Sequence, residues 1–382
     1  NVGYSQANAR LSVLAAQVTS SSSLEPSRAR RCCVAVWSLP GGGDRAAKIL
    51  QPMCEELGVE LRIFSPACST LFPQFPSDPN AAAKLTDSQR REAEDELREV
   101  CKVANVWFGW PHSSWNRVLE VIGGWPEQLD MIQTISAGAD ELLKSLPHRI
   151  MIARAIGKFD DSIAEFVLAW MFMHAKTVHH FLQAQRDQTW RRQLTGIARV
   201  AGSCVLVVGL GSIGQRVAEM CKGVRAKVIA TTRSAKDVVT TDFATVHPSS
   251  DLHSLLPEAD FVVLCMPLTK ETHLSFGAKE VALMKQSAAL INIARGDIVD
   301  WPAICSALHE KRIGACYTDV TTPEPLPDEH EYWRVPNLFI TPHNTFMPMP
   351  DITNDVERLR ENLRRYLGGQ PPMGLVQRDR GY

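Results

Sequence analysis

No apolar run in this chain is long enough to cross a bilayer. The longest, Phe166–Met173, falls far short of the about 20 residues that a membrane helix needs. Neither sign of charge is in excess: 41 basic residues face 42 acidic ones. Nothing electrostatic therefore points to a nucleic-acid partner or a membrane surface. The ten cysteines include no Cys-X-X-Cys and no paired Cys/His spacing of the zinc type, so no metal site is expected. They read as reduced, mostly buried thiols of a reducing compartment, and the adjacent Cys32 and Cys33 are not expected to bridge each other. Apart from Ser20–Ser23 there is no low-complexity run. Acids are scarce only in residues 1–31, where Arg10, Arg28, Arg30 and Arg31 face Glu25 alone. That segment reads either as an organelle transit peptide, chloroplast or mitochondrial, or as a disordered leader of a cytoplasmic protein.

What is present is an ordinary globular composition, 45% hydrophobic and 22% charged over 382 residues, enough for two or three domains. Short apolar runs alternate with helix-length patterns. Strands are expected at Cys33–Trp37, Val59–Phe64, Val103–Phe108, Met131–Ile135 and Arg149–Ile152. Helices are expected at Asp44–Leu57 and Asp87–Val100. One long helix, about Ser162–Gln183, carries Ile163, Phe166, Val167, Trp170, Met171, Val178 and Phe181 at helical spacing. After Ala201 a second series offers six strands: Val205–Val208, Val228–Thr231, Phe261–Cys265, Leu290–Ile293, Ala315–Thr318 and Leu338–Thr341. Asp351–Tyr366 reads as a final helix, and the segment from Gly368 as loop or disorder. Two such βαβ series predict an α/β protein with two doubly wound parallel sheets.

The sharpest motif is Gly209-Leu210-Gly211-Ser212-Ile213-Gly214. It follows the apolar strand Val205–Val208 and opens a helix with Ile213, Val217 and Cys221 on one face. Gly209 permits the tight turn, Gly211 leaves room for a pyrophosphate, and Gly214 lets the helix pack on the strand. The helix N-terminus offers its N–H groups to the phosphates. The next strand ends in Thr232-Arg233-Ser234, with no acid to bond a ribose 2′-hydroxyl. Arg233, with the hydroxyls of Thr232 and Ser234, suits a 2′-phosphate. NADP(H) is therefore favoured, with NAD(H) as the alternative.

Three further segments place polar groups after expected strands: Asn292-Ile293-Ala294-Arg295-Gly296-Asp297, Asp319-Val320-Thr321-Thr322-Pro323-Glu324-Pro325, and Thr341-Pro342-His343-Asn344. Ligands of doubly wound sheets bind at that edge. The chemistry of these residue types is coherent. Hydride addition to a ketone builds charge on oxygen and needs a proton, which a histidine supplies near neutral pH. An arginine offers a planar fork matched to a carboxylate.

In these segments, in Thr134-Ile135-Ser136-Ala137-Gly138-Ala139-Asp140 and in Ala164-Glu165-Phe166, the chain resembles the D-isomer-specific 2-hydroxyacid dehydrogenases over about residues 33–367. The resemblance implies roles. Arg295 would hold the substrate carboxylate and keto oxygen. Glu324 and His343 would form the acid–base pair. Backbone N–H groups of Ser136, Ala137, Gly138 and Ala139 would bind the carboxylate from the other domain. Asp319 would face the nicotinamide. Ile293 and Ala294 would line the cofactor, as would Pro267 and Thr272, with Thr272 starting the next helix. The resemblance also implies that a Rossmann dinucleotide-binding domain, residues 152–345, is inserted into a flavodoxin-like substrate domain, residues 32–151 plus 346–368. That leaves a 1–31 leader and a 369–382 tail, with hinges near Ile152 and Phe346. Gln185–Trp190 resembles a dimerisation arm, so a homodimer is expected.

Some features depart from the family pattern. Asn344-Thr345-Phe346-Met347 stands where a glycine-containing run is common. Val106-Trp107-Phe108-Gly109-Trp110-Pro111 is unusually aromatic; Trp107 and Trp110 read as core or interface residues, with a role in specificity as the alternative. His179 and His180 read as solvated. The expected activity is reduction of a small 2-keto acid of the glyoxylate or hydroxypyruvate type to a D-2-hydroxy acid. A phosphoglycerate dehydrogenase-like enzyme and a dinucleotide-sensing corepressor-like protein remain alternatives. Formate dehydrogenases of this fold carry Gln where Glu324 stands.

Overall fold

The structure, a computed structural model, describes residues 32–37, 43–72, 81–109, 115–192, 196–347 and 353–381. The arginine-rich leader and Trp110 lie outside the described residues.

Two parallel sheets organise the chain. The first comprises β1 (Cys33–Val36), β2 (Glu60–Ile63), β3 (Val106–Phe108), β4 (Met131–Gln133) and β5 (Met151–Ala153), in the order β2-β1-β3-β4-β5. The second comprises β6 (Cys204–Val208), β7 (Lys227–Thr232), β8 (Val239–Thr240), β9 (Thr245–Pro248), β10 (Phe261–Leu264), β11 (Ala289–Asn292), β12 (Ala315–Thr318) and β13 (Leu338–Ile340). Its order is β13-β12-β11-β10-β6-β7-β9-β8. All pairs are parallel except β8 with β9. The strand order reverses between β6 and β10, the crevice where doubly wound sheets bind ligands.

The strands of the second sheet are apolar because both faces are covered. In β6 every residue is buried. Leu206 and Val208 pack with Leu290 and Trp301 on one face, while Val205 and Val207 pack with Met171 and Val217 on the other. All ten cysteines are free thiols, eight of them buried, and burial pushes Cys54 and Cys305 up to about 11. No described helix is long and apolar enough to cross a membrane.

Several expectations need correction. The second sheet has eight strands, not six. Of the two additional strands, β8 has only two residues, both exposed, and β9 reads Thr-Val-His-Pro, so neither carries an apolar run. The expected long helix is two helices, Asp160–Ala175 and Val178–Arg186, broken at Thr177, whose φ is 50°. Apolar residues continue across the break at Val178 and Phe181, so periodicity alone does not reveal it. Lys176 Nζ donates to Ala198 O and Ala198 N to Ala175 O, which ties the break to a later segment. Residues 103–105 are not strand: the helix Asp87–Val103 runs on, and β3 starts at Val106. Short helices at Pro66–Leu71, Trp115–Ile122 and Asp140–Leu143 were not anticipated.

The segment after Gly368 is irregular, as a loop should be, but it is pinned to the first sheet. Leu375 bridges Ala153, Val376 is buried, and Arg378 donates to the carbonyls of Leu146, Pro147 and Ile150. His179 is not solvated. Its ring packs on Phe339 at 5.0 Å and on His180 at 4.2 Å, and its Nδ1 is buried without a partner among the described residues; His180 is exposed. Trp107 is a core residue beside Trp37.

The chain leaves the first sheet after Ala153 and returns to it with the helix Thr353–Leu367. That helix packs Val356, Leu359 and Leu363 against Leu50 and Met53. The outgoing and returning crossings touch through Phe159 and Phe346, 5.7 Å apart edge to face. Beside them Lys158 and Asp355 form an ion pair whose side chains are only 2% and 4% exposed.

Candidate active site

The glycine turn joins β6 to the helix Ser212–Gly223. Gly209 has φ 100°, and a Cβ there would stand 2.8 Å from the Met266 backbone. A Cβ on Gly214 would stand 2.1 Å from Gly209 O, so only glycine lets the helix begin this close to the strand. A Cβ on Gly211 would meet nothing within 4 Å, which is the open approach a pyrophosphate needs. Burial pushes the Asp160 carboxyl up, and a bond with the Ser212 side chain pulls part of the way back.

At the end of β7, Thr232 and Ser234 hydroxyls lie 3.0 Å apart. Arg233 Nη1 lies 4.0 Å from Glu271 Oε2, and both side chains are exposed. Pro267 and Thr272 are joined to each other: the Thr272 hydroxyl donates to Pro267 O at 2.7 Å and accepts from Thr269 N at 2.7 Å. Thr272 therefore fixes its own loop. The next helix starts not there but at Ala278.

Arg295, Glu324 and His343 follow three adjacent strands, β11, β12 and β13. Buried Asn292 holds the first turn: its carbonyl oxygen accepts from Ala294 N at 3.0 Å and its amide donates to Arg295 O at 3.0 Å. That turn packs directly on the second loop. A Cβ on Gly296 would stand 2.2 Å from Thr321 O, and the Thr322 hydroxyl donates to Asp297 at 2.7 Å.

Asp319 fastens the third loop to the second. Its carboxylate accepts from the Thr341 hydroxyl at 2.6 Å, Asn344 N at 2.8 Å, Thr345 N at 3.0 Å and the Thr345 hydroxyl at 2.6 Å. Its carbonyl takes His343 N at 2.8 Å. Tied this way, and with φ 51°, His343 turns its Nδ1 to Glu324 Oε1 at 2.5 Å. The ring is thereby oriented, and Nε2 is the nitrogen left for a reacting group.

From the first sheet the loop Ser136–Ala139 reaches the same place. Its carbonyls at Ser136 and Ala139 are bonded, to Ala155 N and Leu143 N, whereas none of its four N–H groups donates within the described residues. Arg295 lies against this loop. Its Nη2 donates to Asp140 Oδ1 at 2.9 Å and its Nε at 3.2 Å, while Nη1 donates to Ala294 O at 2.7 Å. Asp140 was passed over in the sequence, although it ends the motif that begins at Thr134. Burial pushes its carboxyl up, but the Arg295 charge and hydrogen bonds outweigh this and hold it below the usual carboxylate value. Among the described residues no group of three His, Cys, Asp or Glu is placed to hold a metal ion.

Residues 168–345 match the profile of the D-isomer specific 2-hydroxyacid dehydrogenase NAD binding domain. A glyoxylate reductase of Pyrococcus horikoshii is 30% identical over 264 residues, 66% of this chain and 77% of its own. One from Thermococcus gammatolerans is 34% identical over 232 residues, 57% of this chain and 67% of its own. The chain belongs to the D-isomer specific 2-hydroxyacid dehydrogenase family. It is thus an oxidoreductase with a dinucleotide-binding Rossmann domain. A family member from Xanthobacter autotrophicus, solved with NADPH and MES, superposes with a TM-score of 0.71 at 25% identity, covering 92% of this chain and all of that one. The fold of an NADPH-dependent glyoxylate/hydroxypyruvate reductase from Sinorhizobium meliloti matches with a TM-score of 0.69 at 20% identity, over 92% of this chain and all of that one.

Proposed function

We propose that this dehydrogenase reduces a small 2-keto acid of the glyoxylate or hydroxypyruvate type to the D-2-hydroxy acid, with NADP(H) as the favoured cofactor and NAD(H) as the alternative. What supports the reading is that Arg295, Glu324 and His343 follow three adjacent strands of one sheet, with Arg295 seated on a loop of the other sheet whose N–H groups have no partner among the described residues, and with His343 oriented by Glu324.

In this reading Gly209–Gly214 hold the pyrophosphate, and Thr232, Arg233 and Ser234 meet the 2′-phosphate. Ile293, Ala294 and Pro267 line the dinucleotide groove. When bound, the nicotinamide supplies a hydride to the keto carbon. Arg295 and the Ser136–Ala139 N–H groups grip the substrate carboxylate and keto oxygen. His343 Nε2 gives the proton to the developing alkoxide, and Glu324 stabilises the ring while it carries charge. Asp319, with its carboxylate engaged by four donors from the His343 loop, positions that loop at the nicotinamide end of the cofactor.

The domain boundaries of this reading are 32–151 plus 346–368 for the substrate domain and 152–345 for the dinucleotide domain, with substrate in the cleft between them. Phe181, Leu182 and Trp190 are exposed on the helix Val178–Arg186 and the arm that follows, Trp190 at 93%. We take this face to join two copies in a homodimer, which light scattering of the full chain tests.

The deciding experiment follows NADPH and NADH absorbance with glyoxylate, hydroxypyruvate, phenylpyruvate and 3-phosphohydroxypyruvate. Turnover of the first two with NADPH is expected. Tight cofactor binding with no turnover of any keto acid overturns the reading in favour of a dinucleotide sensor.

A further inference from the structure

We propose that Asp140 is a positioning residue for Arg295, which selects the edge of the guanidinium that receives the substrate. This rests on the reading of Arg295 as the substrate-holding arginine.

A guanidinium has five N–H groups in a fixed plane. Nε donates to both Asp140 oxygens, at 3.2 and 3.3 Å, and Nη2 donates to Oδ1 at 2.9 Å. One N–H of Nη1 donates to Ala294 O at 2.7 Å. Three of the five are thus taken. Among the described residues two remain, one on each terminal nitrogen. That pair matches a planar carboxylate or the two oxygens of a 2-keto acid.

The seat allows little else. A Cβ on Gly138 would stand 1.7 Å from Nη2, so the guanidinium lies directly on the glycine. Asp140 opens the helix Asp140–Leu143, and Leu142 in that helix is buried in the first-sheet core. The carboxylate is therefore anchored by its own domain, whereas Arg295 comes from the other. The orientation of the arginine is set across the boundary between the two sheets.

The charge of Asp140 also matters. It offsets part of the Arg295 charge felt by an anionic substrate. Replacing it with a neutral side chain strengthens the pull on the anion but frees the guanidinium to turn. Affinity and turnover should therefore separate, a pattern that loss of packing does not produce.

The test compares Asp140→Asn, Gly138→Ala and Arg295→Ala in the full chain. It measures NADPH affinity, oxalate affinity in the presence of NADPH, and the kcat and KM of NADPH-dependent glyoxylate reduction. Misplacing a reacting group by about 1 Å costs on the order of 100-fold. Asp140→Asn is expected to lower kcat about 10- to 100-fold, with the glyoxylate KM and oxalate Kd unchanged or lower and NADPH affinity intact. Gly138→Ala leaves every charge in place and is expected to lower kcat by displacing the guanidinium. Arg295→Ala is expected to lose both oxalate binding and turnover. Normal kcat in Asp140→Asn, or loss of oxalate affinity equal to that of Arg295→Ala, overturns the proposal while the arginine reading stands. Normal oxalate binding and turnover in Arg295→Ala remove the arginine reading, and this proposal with it.

Discussion

Replacing Lys158 with methionine should cost this protein far more than a surface lysine does, because of where its partner lies. Lys158 and Asp355 are almost wholly buried at the point where the chain crosses between sheets. Burial pushes the Asp355 carboxyl up; the Lys158 hydrogen bond and charge oppose it, followed by the Arg358 charge. Lys158→Met keeps the length and apolar stem but leaves Asp355 with Arg358 alone. Breaking a buried pair from one side costs about 3–5 kcal/mol. The residual help from Arg358 favours the lower end, about 3 kcal/mol, or roughly 6–12 °C in Tm for a unit of domain size. In the variant the folded pKa of Asp355 rises further above its unfolded value, so its stability is intact below the ordinary carboxylate range and is lost as pH rises. The gap to wild type should be widest at pH 8 and narrow toward pH 5. Removing both charges, as Lys158→Met with Asp355→Leu, should recover most of the loss. Thermal melting of the cofactor-free protein at the two pH values measures all of this. A cost below about 1 kcal/mol, the value of an exposed pair, or a gap independent of pH would refute the reasoning.

Three other outcomes are expected. Arg233→Ala should raise the KM for NADPH by about 10- to 100-fold, since a hydrogen bond to a charged group contributes about 1.5–3 kcal/mol, and leave that for NADH nearly unchanged; equal effects on both remove the 2′-phosphate argument. His343→Ala should lower kcat on the order of 10²–10⁴-fold while cofactor affinity holds, and near-normal turnover would show that another group supplies the proton. His179 is lowered from 6.5 to about 4 by burial and by the charges of His180 and His174. Between those values the unfolded chain binds the proton more readily, so stability is full above pH 6.5 and falls as pH drops through the window. His179→Gln should melt with a smaller drop from pH 7.5 to pH 4.5 than wild type, and an equal drop counts against the assignment.

The site was largely legible in the sequence because its parts are local. A glycine turn, an Asn-Ile-Ala-Arg turn and a histidine after a strand are each written in a few consecutive residues. Each also sits at the end of an apolar run that the eye can place. The break at Thr177 was not legible, since what ends the helix is a left-handed residue and a lysine bonded to a segment twenty-two positions away. The docked segment around Val376 and Arg378 was missed for the same reason: its partners are carbonyls near Ile150.

By itself the sequence determined the alternation of strands and helices, the glycine turn and the places of Arg295, Glu324 and His343 just after three strands, because periodicity and glycine geometry act within one element. Only the tertiary structure decided that Asp140 meets Arg295, that Asp319 binds the His343 loop, and that Lys158 meets Asp355. Those pairs join residues 22 to 197 positions apart, and whether they meet depends on which strands lie side by side and on how the two sheets are set against each other. No local pattern encodes that arrangement.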